Sequence, residues 1–202
     1  MRFYSEEFAV PEMLQAGEFI FRPLRASDVE LDFDAVVSSS FMLRAWSQSD
    51  WPIDGFTLEE NLEDLQRHEQ EHLKKKAFTY TIMNQEETFC FGCIYMSPLI
   101  QEEVDLEVCQ QLSGDEEKFA ASVRFWVRKS YSTKELYSQV LGKIIQWLDS
   151  AWYFNCVVFP VAITDSLQNR LFAENDFVLV GDIYYEPGHS HWNIYHVGWG
   201  GL

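Results

Sequence analysis

Basic residues are scarce in this chain: fifteen Lys and Arg stand against 32 Asp and Glu, a formal net charge of −17. That shortage excludes a nucleic-acid partner, because a duplex-binding face needs clustered cations to displace counterions from phosphates. Long apolar runs are also missing. No stretch approaches the roughly 18 residues of a membrane-spanning helix, and the opening MRFYSEEFAVPEM is acidic where an export signal is basic and then apolar. The expectation is a cytoplasmic protein with no membrane partner. Cysteine is sparse and scattered, at Cys90, Cys93, Cys109 and Cys156, too few to staple an exported scaffold, so reduced thiols are expected. Apolar side chains, by contrast, are plentiful. At 47% hydrophobic over 202 residues, the chain can bury one sizeable core, and a single domain over 1–202 is expected, with 1–18 as an N-terminal arm.

Periodicity and punctuation order the rest. A strand over 19–24 leads to Ser27-Asp28-Val29-Glu30, an S-x-x-E capping box that predicts a helix fading near 38–40. A tryptophan-bearing loop through Trp46, Trp51 and Pro52 then reaches Thr57, where T-x-x-E opens a second helix to about Lys76, with Leu58, Leu62, Leu65 and Leu73 as its buried stripe. Strands over 78–83 and 88–96, joined by Asn84-Gln85-Glu86-Glu87, form a hairpin. The segment 101–118 carries seven acids, Glu102, Glu103, Asp105, Glu107, Asp115, Glu116 and Glu117, and reads as a solvated acidic excursion. A strand over 120–127, a helix over 134–151 and a strand over 155–161 make a βαβ unit, whose crossover sets the two strands parallel and lets them splay at Val127. A short helix over 166–175 and strands over 177–184 and 191–197 complete the chain.

Two runs in this order carry a resemblance. Phe125-Trp126-Val127-Arg128-Lys129-Ser130-Tyr131 ends the central strand, and Ser166-Leu167-Gln168-Asn169-Arg170-Leu171-Phe172-Ala173-Glu174-Asn175-Asp176-Phe177 leads into the penultimate one. Together with the element order they resemble the GNAT N-acetyltransferase superfamily, and within it the ribosomal-protein alanine acetyltransferases. The resemblance implies an α/β fold: a mixed sheet of about seven strands flanked by helices. It implies acetyl-CoA as co-substrate, lying between the splayed parallel strands with its pyrophosphate on the next helix N-terminus, where free N–H groups and the helix dipole favour anions. The positions that would hold it are Phe125, Trp126, Val127, Ser132, Thr133, Lys134, Glu135, Leu136, Tyr137 and Ser166.

The chain departs from the pattern at the loop. The family has R/Q-x-x-G-x-G/A where this sequence has Ser132-Thr133-Lys134-Glu135-Leu136-Tyr137, so a carboxylate and a ring replace two small residues. Ser132 and Glu135 also form S-x-x-E, which predicts a self-capped helix with Glu135 blocking the anion site and Lys134 as the remaining positive charge. The family's base and acid positions fall on Ser122 and Phe172. Serine without a partner is no effective base and phenylalanine has no proton to give, so no catalytic residue is assigned. Trp46 and Trp51 lie on the loop that overhangs the acceptor in similar proteins. The implied function is acyl transfer from acetyl-CoA to a small-molecule or peptide amine, with room for a homodimer. The alternative is a non-catalytic GNAT-fold binding or regulatory module with a blocked CoA site.

Three metal motifs compete. Cys90 and Cys93 spell C-x-x-C within TFCFGCIYM, but on a strand residues three apart face opposite ways, so the sulfurs would not grip one ion. His68-Glu69-Gln70-Glu71-His72 is a literal H-E-x-x-H, the signature of a zinc hydrolase. It lacks a third ligand downstream and reads as a solvated helix face. His189, His191 and His196 form no closed set, because alternation separates His191 from His196. No metal is expected.

Overall fold

The computed structural model describes residues 2–110, 118–185 and 190–197. Its first strand lies inside the expected arm: Leu14–Ala16 (β1) pairs antiparallel with Phe19–Pro23 (β2), so the sheet has eight strands rather than about seven. Phe3, Tyr4 and Phe8 pack against the main core, and the Lys75 ammonium donates to the carbonyls of Glu6 (2.6 Å) and Phe8 (2.8 Å). A three-residue strand has too little alternation to register as a pattern.

The first helix, Val29–Val37 (α1), is prepared by Asp28 and not by Ser27. The Asp28 carboxylate accepts from the Arg25 N–H at 2.9 Å and from both terminal nitrogens of Arg22 at 2.8 Å. The helix ends at the serine run as expected, with Ser38 at its C-cap, but a further helix, Ser40–Ser47 (α2), follows at once, and Trp46 lies on it, not on a loop. Leu58–Leu73 (α3) has the expected box, with Glu60 N–H donating to Thr57 Oγ1 at 3.2 Å and Thr57 N–H to Glu60 Oε2 at 2.8 Å. Its inward stripe differs from the expected leucines. Leu58 and Leu73 are 43% and 71% exposed; Leu65 is buried as expected, but it is flanked at spacings of three and four by Asn61, which donates to Asp32 of α1, and by His68 and His72, which meet Thr79 and Tyr80 of the sheet.

Phe78–Asn84 (β3) and Cys90–Ser97 (β4) pair antiparallel, but Ile82 faces Gly92 while Met83 faces Cys90, which leaves one extra residue on β4. This bulge is fixed by backbone approach. Gly92 has φ of 155°, and a Cβ there would sit 2.0 Å from the Trp126 carbonyl oxygen. The extra residue reverses the expected alternation, and Cys90 and Cys93 enter the same buried cluster with Leu43, Leu65 and Trp126.

Two helical turns, Gln101–Val104 (α4) and Glu107–Gln110 (α5), occupy the start of the acidic excursion; Asp115, Glu116 and Glu117 lie outside the described residues. Glu103 is only 3% exposed, so this part of the segment is not a solvated loop. Ala120–Val127 (β5), Lys134–Ala151 (α6) and Cys156–Ala162 (β6) form the βαβ unit, then come Ser166–Ala173 (α7), Val178–Tyr185 (β7) and Ser190–His196 (β8). The sheet order is β1-β2-β3-β4-β5-β6-β8-β7, with β5 and β6 parallel and every other pair antiparallel. Ala121, Val123, Phe125 and Val127 pack with Tyr137, Ile144 and Trp147 of α6 in the main core. Trp126 packs with α1 to α3 on the other face, as period-two alternation requires.

Candidate functional site

The parallel strands part early. Their last aligned pair is Ser122 with Val158, so the gap opens after Ser122 and not at Val127. Two backbone groups of β5 along it are held by side chains. The Phe125 carbonyl accepts from Trp46 Nε1 at 2.9 Å and from Gln168 Nε2 at 3.2 Å, and the Val127 N–H donates to the Tyr137 hydroxyl at 3.2 Å. A strand edge buried without partners would cost several kcal/mol, and helices α2, α6 and α7 each send one side chain to prevent that.

A cavity of about 300 Å³ lies between α2 and the first turns of α6 and α7, lined by Trp46, Lys129, Ser132, Tyr137, Asp165 and Ser166. It gathers several residues that the sequence nominates. The others scatter. Thr133, not Ser132, caps α6, its hydroxyl accepting from the Leu136 N–H at 3.3 Å. The Ser132–Glu135 box is absent, and Glu135 is exposed. Lys134 is not a spare charge, because its ammonium pairs with Glu174 at 2.5 Å. Leu136 packs at the edge of the main core. Trp126 points to the other face, where its indole N–H donates to the Tyr95 hydroxyl at 3.1 Å. Phe172 is buried among Phe159, Phe177 and Tyr195.

Ser122 lies in a second cavity, of about 270 Å³, lined also by Glu103, Arg124, Tyr185, Ser190 and Trp192. The Ser122 hydroxyl donates to Glu103 Oε1 at 2.8 Å, and the Ile100 N–H to Glu103 Oε2 at 2.9 Å. Burial outweighs these bonds and raises the Glu103 pKa, so this carboxyl is held closer to neutrality than a surface glutamate. Arg124 lies between two indoles, its guanidinium carbon 4.0 Å from the Trp46 ring and 4.0 Å from the Trp192 ring, and donates to the Trp46 carbonyl at 2.7 Å. Desolvation pushes its pKa down to about 10, which leaves it charged at neutral pH. A third cavity of about 340 Å³ holds Trp51, whose indole N–H donates to Asp64 at 3.2 Å, and borders Trp46 and Arg124.

The histidines of the H-E-x-x-H string are packed, not solvated. His72 meets the rings of Phe78 and Tyr80, and burial lowers its pKa to about 4. His68 shares a hydrogen bond of 3.1 Å with Thr79. Among the described residues, the metal-binding side chains that converge as a group of three do not include them. His189 lies outside the described residues.

No protein-family model matches the chain, and no curated protein does. Solved structures do. RimL, a ribosomal L7/L12 alpha-N-protein acetyltransferase in complex with coenzyme A, superposes with a TM-score of 0.71 at 18% identity, covering 92% of this chain and 97% of that one. The chain has the GNAT fold. The ribosomal-protein-S5-alanine acetyltransferase from Vibrio fischeri gives a TM-score of 0.69 at 14% identity, over 93% and 96% of the two chains. The microcin C7 self-immunity acetyltransferase MccE, in complex with acetyl-CoA and AMP, gives 0.71 at 13%, over 93% and 97%.

The family resemblance implies acetyl-CoA between the splayed strands and at the α6 N-terminus. Lys129, Ser132 and Ser166 offer donors to an anionic group at a helix start, but Asp165, which caps α7, adds a carboxylate to the same cavity, and Trp46, Gln168 and Tyr137 take up the strand-edge groups farther in. Sequence reasoning missed Glu103, Arg124, Gln168 and Trp192. Arg124 had a signal, a lone charge within AASVRFWV; Glu103 was one acid among seven.

Proposed function

We propose that the protein transfers an acyl group from acetyl-CoA to a primary amine, with Glu103 as the base acting through Ser122. The observation that carries this reading is the buried Ser122–Glu103 pair beside the strand splay, which gives the serine the partner it needs. Acetyl-CoA supplies the activated acyl group. The chain's own residues do the rest. An ammonium in the Glu103 cavity gives its proton to the carboxylate by way of the Ser122 hydroxyl, and the raised Glu103 pKa favours that uptake. The neutral amine, held against the acyl carbon, forms the C–N bond as the C–S bond breaks, and the second proton on nitrogen leaves to solvent, with positioning contributing several orders of magnitude. The departing thiolate takes its proton from solvent, since Phe172 has none to give. A cationic small-molecule or peptide amine suits a net charge of −17. The four free cysteines suit the cytoplasm.

A second reading, a binding module without transfer, draws on the three side chains that hold the Phe125 carbonyl and the Val127 N–H. Thermal shift with acetyl-CoA, followed by thiol release over an amine panel, separates the two. Stabilisation grows to about 2.7 kcal/mol at a hundredfold excess over the dissociation constant. Amine-dependent thiol release that disappears in Glu103→Gln supports transfer. Stabilisation without release supports the module, and neither effect removes both.

A further inference from the structure

The bulge that brings Cys90 and Cys93 to one face also brings them to Asp32 of α1. One ligand atom from each of the three lies within 4.8 Å of the other two, and all three residues are buried. The Cys93 Sγ is 3.5 Å from Asp32 Oδ1. This is the separation of neighbouring donors around one tetrahedral ion, whose bonds run about 2.3 Å to sulfur and 2.0–2.2 Å to oxygen.

Asp32 is otherwise hard to account for. Its oxygens accept from the Asn61 amide at 3.0 Å and from the Cys93 thiol, both neutral groups, and nearby Asp28 and Asp64 carry charge of its own sign. A buried carboxylate is normally paired with a cation or bound to a metal. Arg22 is committed to Asp28 and Glu87, so it does not serve. The remaining contacts of the thiols are weak: Cys90 Sγ lies 3.5 Å from Thr81 Oγ1 and 3.6 Å from the Gly92 carbonyl. Tyr95, whose hydroxyl accepts from the Trp126 indole, packs against the same buried cluster.

We propose that Asp32, Cys90 and Cys93 hold a thiophilic divalent cation of the zinc type, which ties α1 to β4 beneath Trp126. Two thiolates and a carboxylate match the ligand preference of zinc, and the complete burial matches a structural ion bound during folding. Binding displaces the two thiol protons, and the Asp32 proton where present, to solvent. Because these ligands must shed their protons to bind, uptake strengthens as pH rises.

The test uses the full chain, unfolded with chelator and refolded with Co²⁺ as the probe. One equivalent of Co²⁺ per chain, a thiolate-to-cobalt charge-transfer band in the near ultraviolet, and a rise in the thermal midpoint are expected. Cys93→Ser should lose the band. If that variant fails to refold, Cys109→Ser and thiol labelling of wild type in denaturant serve instead: the former must keep the band, and two of the four buried thiols per chain must resist labelling with Co²⁺ at a denaturant concentration where they react without it. Wild type that refolds with Co²⁺ but shows neither band nor thiol protection overturns the proposal, as does a band that survives in Cys93→Ser.

Discussion

The Ser122 hydroxyl donates to the Glu103 carboxylate at 2.8 Å, and both residues are buried beside the point where β5 leaves β6. Helix α4 brings the carboxylate there, and the strand presents the hydroxyl. If this pair moves the amine's proton, Glu103→Gln lowers the turnover rate by about 10²- to 10⁴-fold, the usual share of general-base catalysis. Wild-type rate rises with pH through the raised Glu103 value, and the variant loses that limb. The stability sign is opposite. An acid whose folded pKa is raised destabilises the fold as pH climbs from the ordinary carboxylate range to the raised value, so wild type loses stability over that window and Glu103→Gln does not. Parallel pH–rate and pH–melting curves for both proteins check this.

Trp46 controls the gap edge. Trp46→Phe removes the indole N–H from the Phe125 carbonyl and weakens one side of the Arg124 sandwich. A loss of about 1–2 kcal/mol in stability is expected, together with tighter acetyl-CoA binding measured by calorimetry. Weaker binding would show that the indole helps to hold the co-substrate.

Tyr137, not Glu135, is the side chain that covers the strand edge. Tyr137 is buried with its hydroxyl on the Val127 N–H, whereas Glu135 is exposed. Tyr137→Ala should cost about 3–5 kcal/mol, the range of a large aromatic truncation, and should increase CoA affinity if the variant stays folded. Tyr137→Phe keeps the ring and loses about 1 kcal/mol. Glu135→Gly costs about 1 kcal/mol in helix propensity and leaves affinity unchanged. Equal affinity changes in the Tyr137 and Glu135 variants would remove the distinction.

His72 makes the fold acid-sensitive. Burial against Phe78 and Tyr80 holds its pKa at about 4, below the unfolded value of about 6.5. The unfolded chain therefore takes up a proton first, and stability falls as pH drops from about 6.5 to about 4. Discounted for partial exposure, the loss is about 2 kcal/mol. His72→Gln should flatten the melting curve over that window, and an unchanged slope would assign the acid sensitivity to other groups.

The α3 capping box, the βαβ crossover and the alternation along β5 were legible in the sequence because each is a local rule: a side chain reaching its own helix start, a helix returning a strand in parallel, a period of two. Those rules yielded the GNAT order; Ser122, Phe125 and Tyr137 were nominated by the family resemblance, and the structure puts Ser122 and Tyr137 on different cavities. The local rules misread α3, whose inner stripe also uses Asn61, His68 and His72, because Asp32 and Thr79 on other elements bond Asn61 and His68 and the Phe78 and Tyr80 rings pack against His72.

Tertiary structure alone decided the chemistry of the sites. Glu103 differs from its acidic neighbours only because α4 folds it against Ser122, and Gln168 and Trp46 meet at one carbonyl from helices far apart in the chain. Cys90 and Cys93 share a face only because Gly92 yields to the Trp126 carbonyl of β5 and β4 takes up an extra residue. Local sequence sets the period of a strand. A bulge caused by the neighbouring strand shifts that period by one residue, and every side chain beyond it changes face.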